Sequence, residues 1–265
     1  MSLVSSRPEQ DILALEAQVI RAERQWLFDN VLPRSVDSIR EGLQECSDLL
    51  KNASITLPIS SRETECLKGI MTRQGSQLVK GDLVVKLSKI HTKLSIPAGK
   101  HIHLQQIEDI SSLVHYSMES LDHNLYSDTA RRIIGDVLMN IKQALQSLTK
   151  FPSGSAFPLA SIDPDSLRPD LPSNVALDLY IQDASLIAEL RLLQARKAEN
   201  FFSTLIKNNA VETGGFVRYR GEDVRVVEHI RVESQDPALI AITAKLTALK
   251  HNVEEVQKKI NATQA

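Results

Sequence analysis

Towards the C-terminal end of the chain, apolar residues recur three and four positions apart without a break, at Leu239, Ile242, Leu246, Leu249, Val253, Val256 and Ile260. That spacing is a heptad seam and predicts a helix from Asp236 to Ile260. Asp236 is suited to the N-cap, and Pro237 sits where a first-turn proline is tolerated. A helix of this length is marginal alone in water, so its stripe needs neighbours. Its flanks carry Lys245, Lys250 and Lys259. In a parallel homodimer Lys245 of one copy would meet Lys250 of the other, a like-charge contact. A bundle within one chain, or a partner with acidic flanks, fits this pattern better.

The same spacing opens the chain. Ile12, Leu15, Val19, Ala22 and Trp26 lie on one face, and Val36, Ile39, Leu43, Cys46 and Leu50 resume the stripe in a shifted phase after Pro33. Proline has no donor and clashes with the preceding turn. One long helix kinked near Pro33, or two helices in line, is expected. Acids on the first half (Glu9, Asp11, Glu16, Glu23, Asp29) outnumber Arg21 and Arg24, which suits it to lie beside the lysine-flanked last helix. Two further seams, Leu104, Ile107, Ile110, Val114, Met118 and Leu121, then Ile134, Val137, Ile141, Ala144 and Leu148, predict an antiparallel helix pair.

Between these helices the period changes to two. Ile55, Leu57 and Ile59 alternate with polar residues, and Pro58 argues for an edge strand. A strand over Leu67–Thr72, a turn at Gln74-Gly75-Ser76 and a strand with Val79, Leu83, Val85 and Leu87 facing one way predict an antiparallel meander that Leu94 and Ile96 complete. Val175, Leu177, Leu179 and Ile181 alternate strictly, and Asp183-Ala184-Ser185 turns the chain into the apolar run Leu186–Leu193. Phe201, Phe202, Leu205 and Ile206 mark a short helix, and Thr213-Gly214-Gly215 a loop. A last hairpin turns at Gly221-Glu222 into a strand with Val224, Val226, Glu228, Ile230 and Val232 on one face.

The predicted class is α+β: an antiparallel bundle of about four helices with zipper-like seams beside an antiparallel β domain, both built from discontinuous segments. The bundle takes 1–53, 103–150 and 234–265, and its helices contain Val19, Val114, Ile141 and Leu246. The β domain takes 54–102 and 173–233, its two strand blocks joined in one sheet or a sandwich. Residues 151–172 hold five of the ten prolines and are expected to be a linker.

Composition narrows the function. Charged residues are 24% and the formal net charge is −2, with no basic block of the kind that binds nucleic acid. Aromatic residues are only 4%, so the core must be aliphatic. The two cysteines, Cys46 and Cys66, make no disulfide framework, and a cytosolic location is expected. No apolar run reaches the length of a membrane span, so any membrane association is expected to come through partners.

Candidate chemistry is sparse. His101, His103, His115 and His123 belong to no Cys/His cluster or HExxH motif of a metal site, and neither cysteine has a CxxC partner. Asp163, Asp165 and Asp170 fall in the proline-rich stretch, where carboxylates are not held rigidly for acid–base work. No phosphate-cradling loop or nucleophile elbow occurs. No cofactor and no catalysis are expected. Arg218, Arg220, Arg225 and Arg231, on the last hairpin, form a candidate surface for an acidic partner.

Several stretches resemble the Rogdi family, which includes the fungal Rogdi-like subunit of the RAVE complex. Gly69 to Leu87, with Thr72, Gln74, Gly75, Leu78, Asp82 and Lys86, resembles that family's first β segment. Leu104-Gln105-Gln106-Ile107 with Asp109 resembles the start of its middle helix, and Leu171-Pro172-Ser173 with Val175–Leu193 its second hairpin. Val224 to Ile260 resembles its last strand and zipper-like terminal helix. The resemblance implies a non-catalytic accessory subunit that helps reassemble the vacuolar proton-pumping ATPase from its peripheral and membrane sectors. Its implied partners are a large β-propeller scaffold of the rabconnectin type and peripheral-sector subunits of the pump, with recruitment to vacuolar or endosomal membranes. Departures occur at Asp236–Ala241 and Gln194–Gly215. The alternative is a coiled-coil tether or homodimeric adaptor unrelated to the pump.

Overall fold

A computed structural model describes residues 7–60, 66–88, 90–122, 127–151, 154, 156–196 and 215–263. The short helix expected around Phe201–Ile206 lies outside them. The chain divides into two compact units. The first comprises Met1–Leu49, Asp109–Gln146 and Ile242–Ala265; the second comprises Leu50–Glu108 and Ser147–Ala241.

The helices are α1 (Arg7–Trp26), α2 (Leu32–Asn52), α3 (Gln105–Asp122), α4 (Ser127–Thr149) and α5 (Pro237–Ala262). In the first unit their stripes are buried: Val36, Ile39, Leu43 and Cys46 on α2, Ile110, Val114 and Leu121 on α3, Ile134, Val137, Ile141 and Ala144 on α4, and Ile242 to Ile260 on α5. α2 and α5 approach so closely that a Cβ on Gly42 would lie 2.7 Å from Leu249 Cδ2. Lys245 pairs with Glu45 across the same two helices, and Lys142 lies 3.0 Å from Glu254 between α4 and α5. Arg40 on α2 donates to the Leu121 carbonyl at the end of α3, 2.9 Å away. The acidic neighbour of Lys245 is thus on α2, not on the first helix.

α1 does not join the bundle, contrary to the expectation for the helix containing Val19. Its stripe is exposed: Ile12 57%, Leu15 62%, Val19 49% and Trp26 61%. It is continuous with α2 through a wide π-helical turn, Leu27–Val31, where the Leu32 N–H donates to the Leu27 carbonyl. Pro33 cannot donate to the carbonyl one α-turn back, and the wider turn accommodates that loss without ending the helix. The extra residue in the turn also shifts the phase of the stripe between Trp26 and Val36.

The second unit holds two antiparallel sheets, one for each strand block, so the single-sheet form of the expectation does not hold. The first has the order β1 (Ser54–Ser60), β2 (Leu67–Gln74), β3 (Gln77–Leu87), β4 (Ile90–Ser95), with β5 (Ile102–His103) also on β3. The second has the order β6 (Val175–Gln182), β7 (Ser185–Ala195), β9 (Glu222–Gln235), β8 (Val217–Tyr219). Each strand block pairs within itself because hairpin connections join neighbours in sequence most directly. β1 lies alongside β9, and Ser95 and Arg168 exchange backbone hydrogen bonds of 2.8 and 2.7 Å. Leu167 and Leu171 are buried, so part of the expected linker packs as core of this unit.

Two bulges correct the expected faces. Register shifts between Thr72 and Arg73 opposite Lys80 and Leu78, leaving Val79 unpaired. Leu78, not Val79, then joins Leu83, Val85 and Leu87 in the core. In β9 the shift opposite Leu192 and Leu193 makes Val227 the extra residue. Val224 and Val226 therefore face away from Glu228, Ile230 and Val232, which a two-residue period cannot reveal. The last hairpin turns at Arg220-Gly221, both at positive φ (49° and 87°), one residue earlier than expected.

Candidate functional site

The informative sites among the described residues are those that fix the fold and those that stay available to other molecules. Among the described residues no group of three or more His, Cys, Asp and Glu side chains could hold a metal ion. Asp165 is engaged by Lys100 at 2.9 Å and Asp170 by Arg168. The Lys100 ammonium holds the Asp165 carboxyl below its usual range. Cys46 is buried on the α2 seam, and desolvation pushes its thiol up to about 11, which makes it a poor nucleophile near neutrality.

The start of α5 is locked from the first sheet. Asp236 accepts the N–H groups of Ala238 (2.9 Å) and Leu239 (3.1 Å) on Oδ1, the N-cap predicted from sequence. Its Oδ2 accepts Arg73 Nε at 2.6 Å, and Arg73 Nη1 donates to the Gly75 carbonyl at 2.6 Å. Both side chains are 0% exposed. Arg73 lies on the core face of β2 because the bulge at Val79 puts it in register with Leu78. Pattern reading missed it, since an arginine beside a turn reads as a surface residue. An invisible tertiary partner, Asp236 in distant sequence, is what keeps it inside.

Gln106 makes a second clamp. Its Nε2 donates to the carbonyls of Ser147 (3.1 Å) and Ile181 (2.8 Å), and its Oε1 accepts the Ile181 N–H at 2.7 Å. One amide thereby ties the start of α3 to the end of α4 and to β6. This gives the Leu104–Ile107 motif a physical role.

On one face of the second sheet Arg191 binds both Asp178 and Glu189 and lies 5.1 Å over the Phe157 ring. Burial raises the Asp178 carboxyl above its usual range against the pull of Arg191. Burial, and then the Glu189 carboxylate beside it, push the Tyr180 phenol up to about 12, and its ring stacks on Phe151 at 4.1 Å. One guanidinium serves both carboxylates, which makes this a structural ion network. The strict alternation of β6 concealed it, because Asp178 takes a polar position that is buried all the same.

The residues singled out from sequence divide by location. All seven seam positions, Leu239, Ile242, Leu246, Leu249, Val253, Val256 and Ile260, are buried. The four arginines do not share a face. Arg225 pairs in register with Gln194 and donates to it at 2.8 and 3.0 Å, whereas Arg231 pairs with Glu189 and donates to Gln182 at 3.1 Å. The bulge at Val227 sets these two on opposite faces. Arg220 turns onto the Ser161 hydroxyl and the Ile162 carbonyl, both at 3.2 Å, and Arg218 is exposed. The largest exposed apolar stripe of a described helix is on α1.

Comparison with known proteins adds a family and relatives. A family model described as Rogdi leucine zipper containing protein matches residues 23–215 and 207–261. The chain is 29% identical over 278 aligned residues to the Schizosaccharomyces pombe protein named Regulator of V-ATPase in vacuolar membrane protein 2, covering 91% of this chain and 93% of that one. It is 27% identical to the Homo sapiens protein rogdi homolog, over 71% of this chain and 73% of the relative. The Drosophila melanogaster protein rogdi is 24% identical over 65% of this chain and 70% of its own length.

Proposed function

Because the chain belongs to the Rogdi leucine zipper family, we propose that it is a non-catalytic accessory subunit that promotes assembly of the vacuolar proton-pumping ATPase. It works within a RAVE-like complex, helping the pump's peripheral and membrane sectors rejoin. The observation that carries this reading is the near full-length match to a fission-yeast protein named as a regulator of that ATPase at the vacuolar membrane. A large β-propeller scaffold of the rabconnectin type and peripheral-sector subunits are its partners. Recruitment to vacuolar or endosomal membranes goes through them; no helix of the described residues is long and apolar enough to cross a membrane. The tether alternative needs the α5 seam to be free for another chain, and its seven residues are buried within this one.

The test is a deletion strain in which sector association is followed after the pump is dissociated and allowed to recover. Intact sectors that reassociate slowly, with poor growth at neutral pH or high calcium, are expected. Normal reassociation and normal vacuolar acidification would overturn the proposal.

A further inference from the structure

We propose that α1 is a docking helix for another protein, one that presents an amphipathic helix with lysine or arginine along the side of its apolar seam that meets Glu16 and Glu23. Ile12, Leu15, Val19, Ala22 and Trp26 hold the a and d positions of two heptads, and all five are exposed. At ~1.5 Å per residue the stripe runs roughly 20 Å. α1 continues from α2 through the π-helical turn, and Leu27, Leu32 and Val36 beyond its end are buried. The helix is therefore nucleated by a packed neighbour and holds its stripe out pre-formed, which lowers the ordering cost of docking.

The charges beside the stripe choose the occupant. Glu16 and Glu23 occupy the e positions, and Gln18 and Gln25 the g positions. Arg21 and Arg24 lie on the outer face, where Arg21 Nε donates to the Ala17 carbonyl at 3.1 Å. An antiparallel second copy would set Glu16 against Glu23, and a parallel one brings no cation to either flank. An anionic membrane would meet the carboxylates at the boundary where anchoring lysines are needed. A basic-flanked helix buries the five apolar side chains and gives both glutamates a partner. This surface rests on α1 alone and is independent of the role in pump assembly.

Trp26 is the chain's only tryptophan and ends the stripe, so its fluorescence reports occupancy directly. The full chain is titrated with two designed coiled-coil peptides, both with Leu at a and d, one with Lys and the other with Glu at every e and g position. Vesicles of phosphatidylserine and phosphatidylcholine form a third arm. The expected result is a solvent-like emission for the free protein and a saturable blue shift with the Lys-flanked peptide alone. Leu15→Asp weakens that binding by at least about tenfold. Because Leu15 is exposed, Leu15→Asp keeps the circular dichroism and melting temperature of the parent chain. A blue shift that grows with protein concentration alone would assign the stripe to a second copy and overturn the proposal. Equal responses to both peptides, a response to vesicles only, or no response to the Lys-flanked peptide would overturn it as well.

Discussion

α1 and α5 carry the same kind of signal and meet opposite fates. Both repeat apolar residues three and four apart, and both exceed the length at which a stripe can be ignored. Yet Val19 is 49% exposed and Leu246 is 0% exposed. The difference does not lie in the stripes. Before α5 stands Asp236, which caps the helix and is held by a buried arginine, while the end of α1 runs into a π-helical turn that changes the phase of the apolar face. Periodicity shows which face of a helix is apolar; it does not show what covers that face.

The comparison breaks most visibly at matched substitutions. Leu249→Asp places a carboxylate among aliphatic side chains beside Gly42, and a loss of about 4 kcal/mol or more is expected, a large part of a total near 5–15 kcal/mol. Val19→Asp on α1 should stay within about 0.5 kcal/mol. Urea denaturation of the two variants is the check. Equal losses would mean that α1 is covered in solution, and equal small effects that the α5 seam is open.

Next in size is the lock beneath α5. Arg73→Met leaves Asp236 buried without its cation and should cost about 3–5 kcal/mol. Asp236→Asn keeps an oxygen for the Ala238 and Leu239 N–H groups but leaves Arg73 unpaired, with a loss of similar order. The double variant removes both charges and should recover more than half of the summed loss. Additive losses in the double-mutant cycle would show that the two side chains act separately.

Smallest is the charge contact on the outside of the seam. Lys245→Glu sets two carboxylates together where Lys245 now donates to Glu45. Both groups are solvated, so a slight fall in melting temperature is expected at low ionic strength and none at high salt. A salt-independent loss would place this pair inside the packing instead of beside it.

Most of the architecture was legible from local pattern. The seams of α2, α3, α4 and α5 predicted helices that bury them, two period-two blocks predicted antiparallel strands, and Asp236-Pro237 announced the start of α5. The faces of single strands were less legible where a bulge intervenes. One extra residue at Val79 or Val227 inverts every later side chain, and nothing in the composition of β3 or β9 marks the position. The arginine surface failed for that reason, since Arg225 and Arg231 are an even number of positions apart and still face opposite ways. Arg73 and Asp178 were missed, and Gln106 stood out only as part of a motif, because a polar residue is read as exposed until its partner is known.

The sequence by itself thus determined the element types, the apolar stripes, the N-cap of α5 and membership of a recognisable family. The element types, the stripes and the cap follow from backbone periodicity and short-range capping, which act within a few residues, while the family follows from likeness of motifs. Only the tertiary structure decided that α1 stays uncovered, that the strands divide into two sheets, and that Arg73 reaches Asp236. Each depends on groups distant along the chain, and a buried charge or an exposed stripe is defined by what lies opposite it in space.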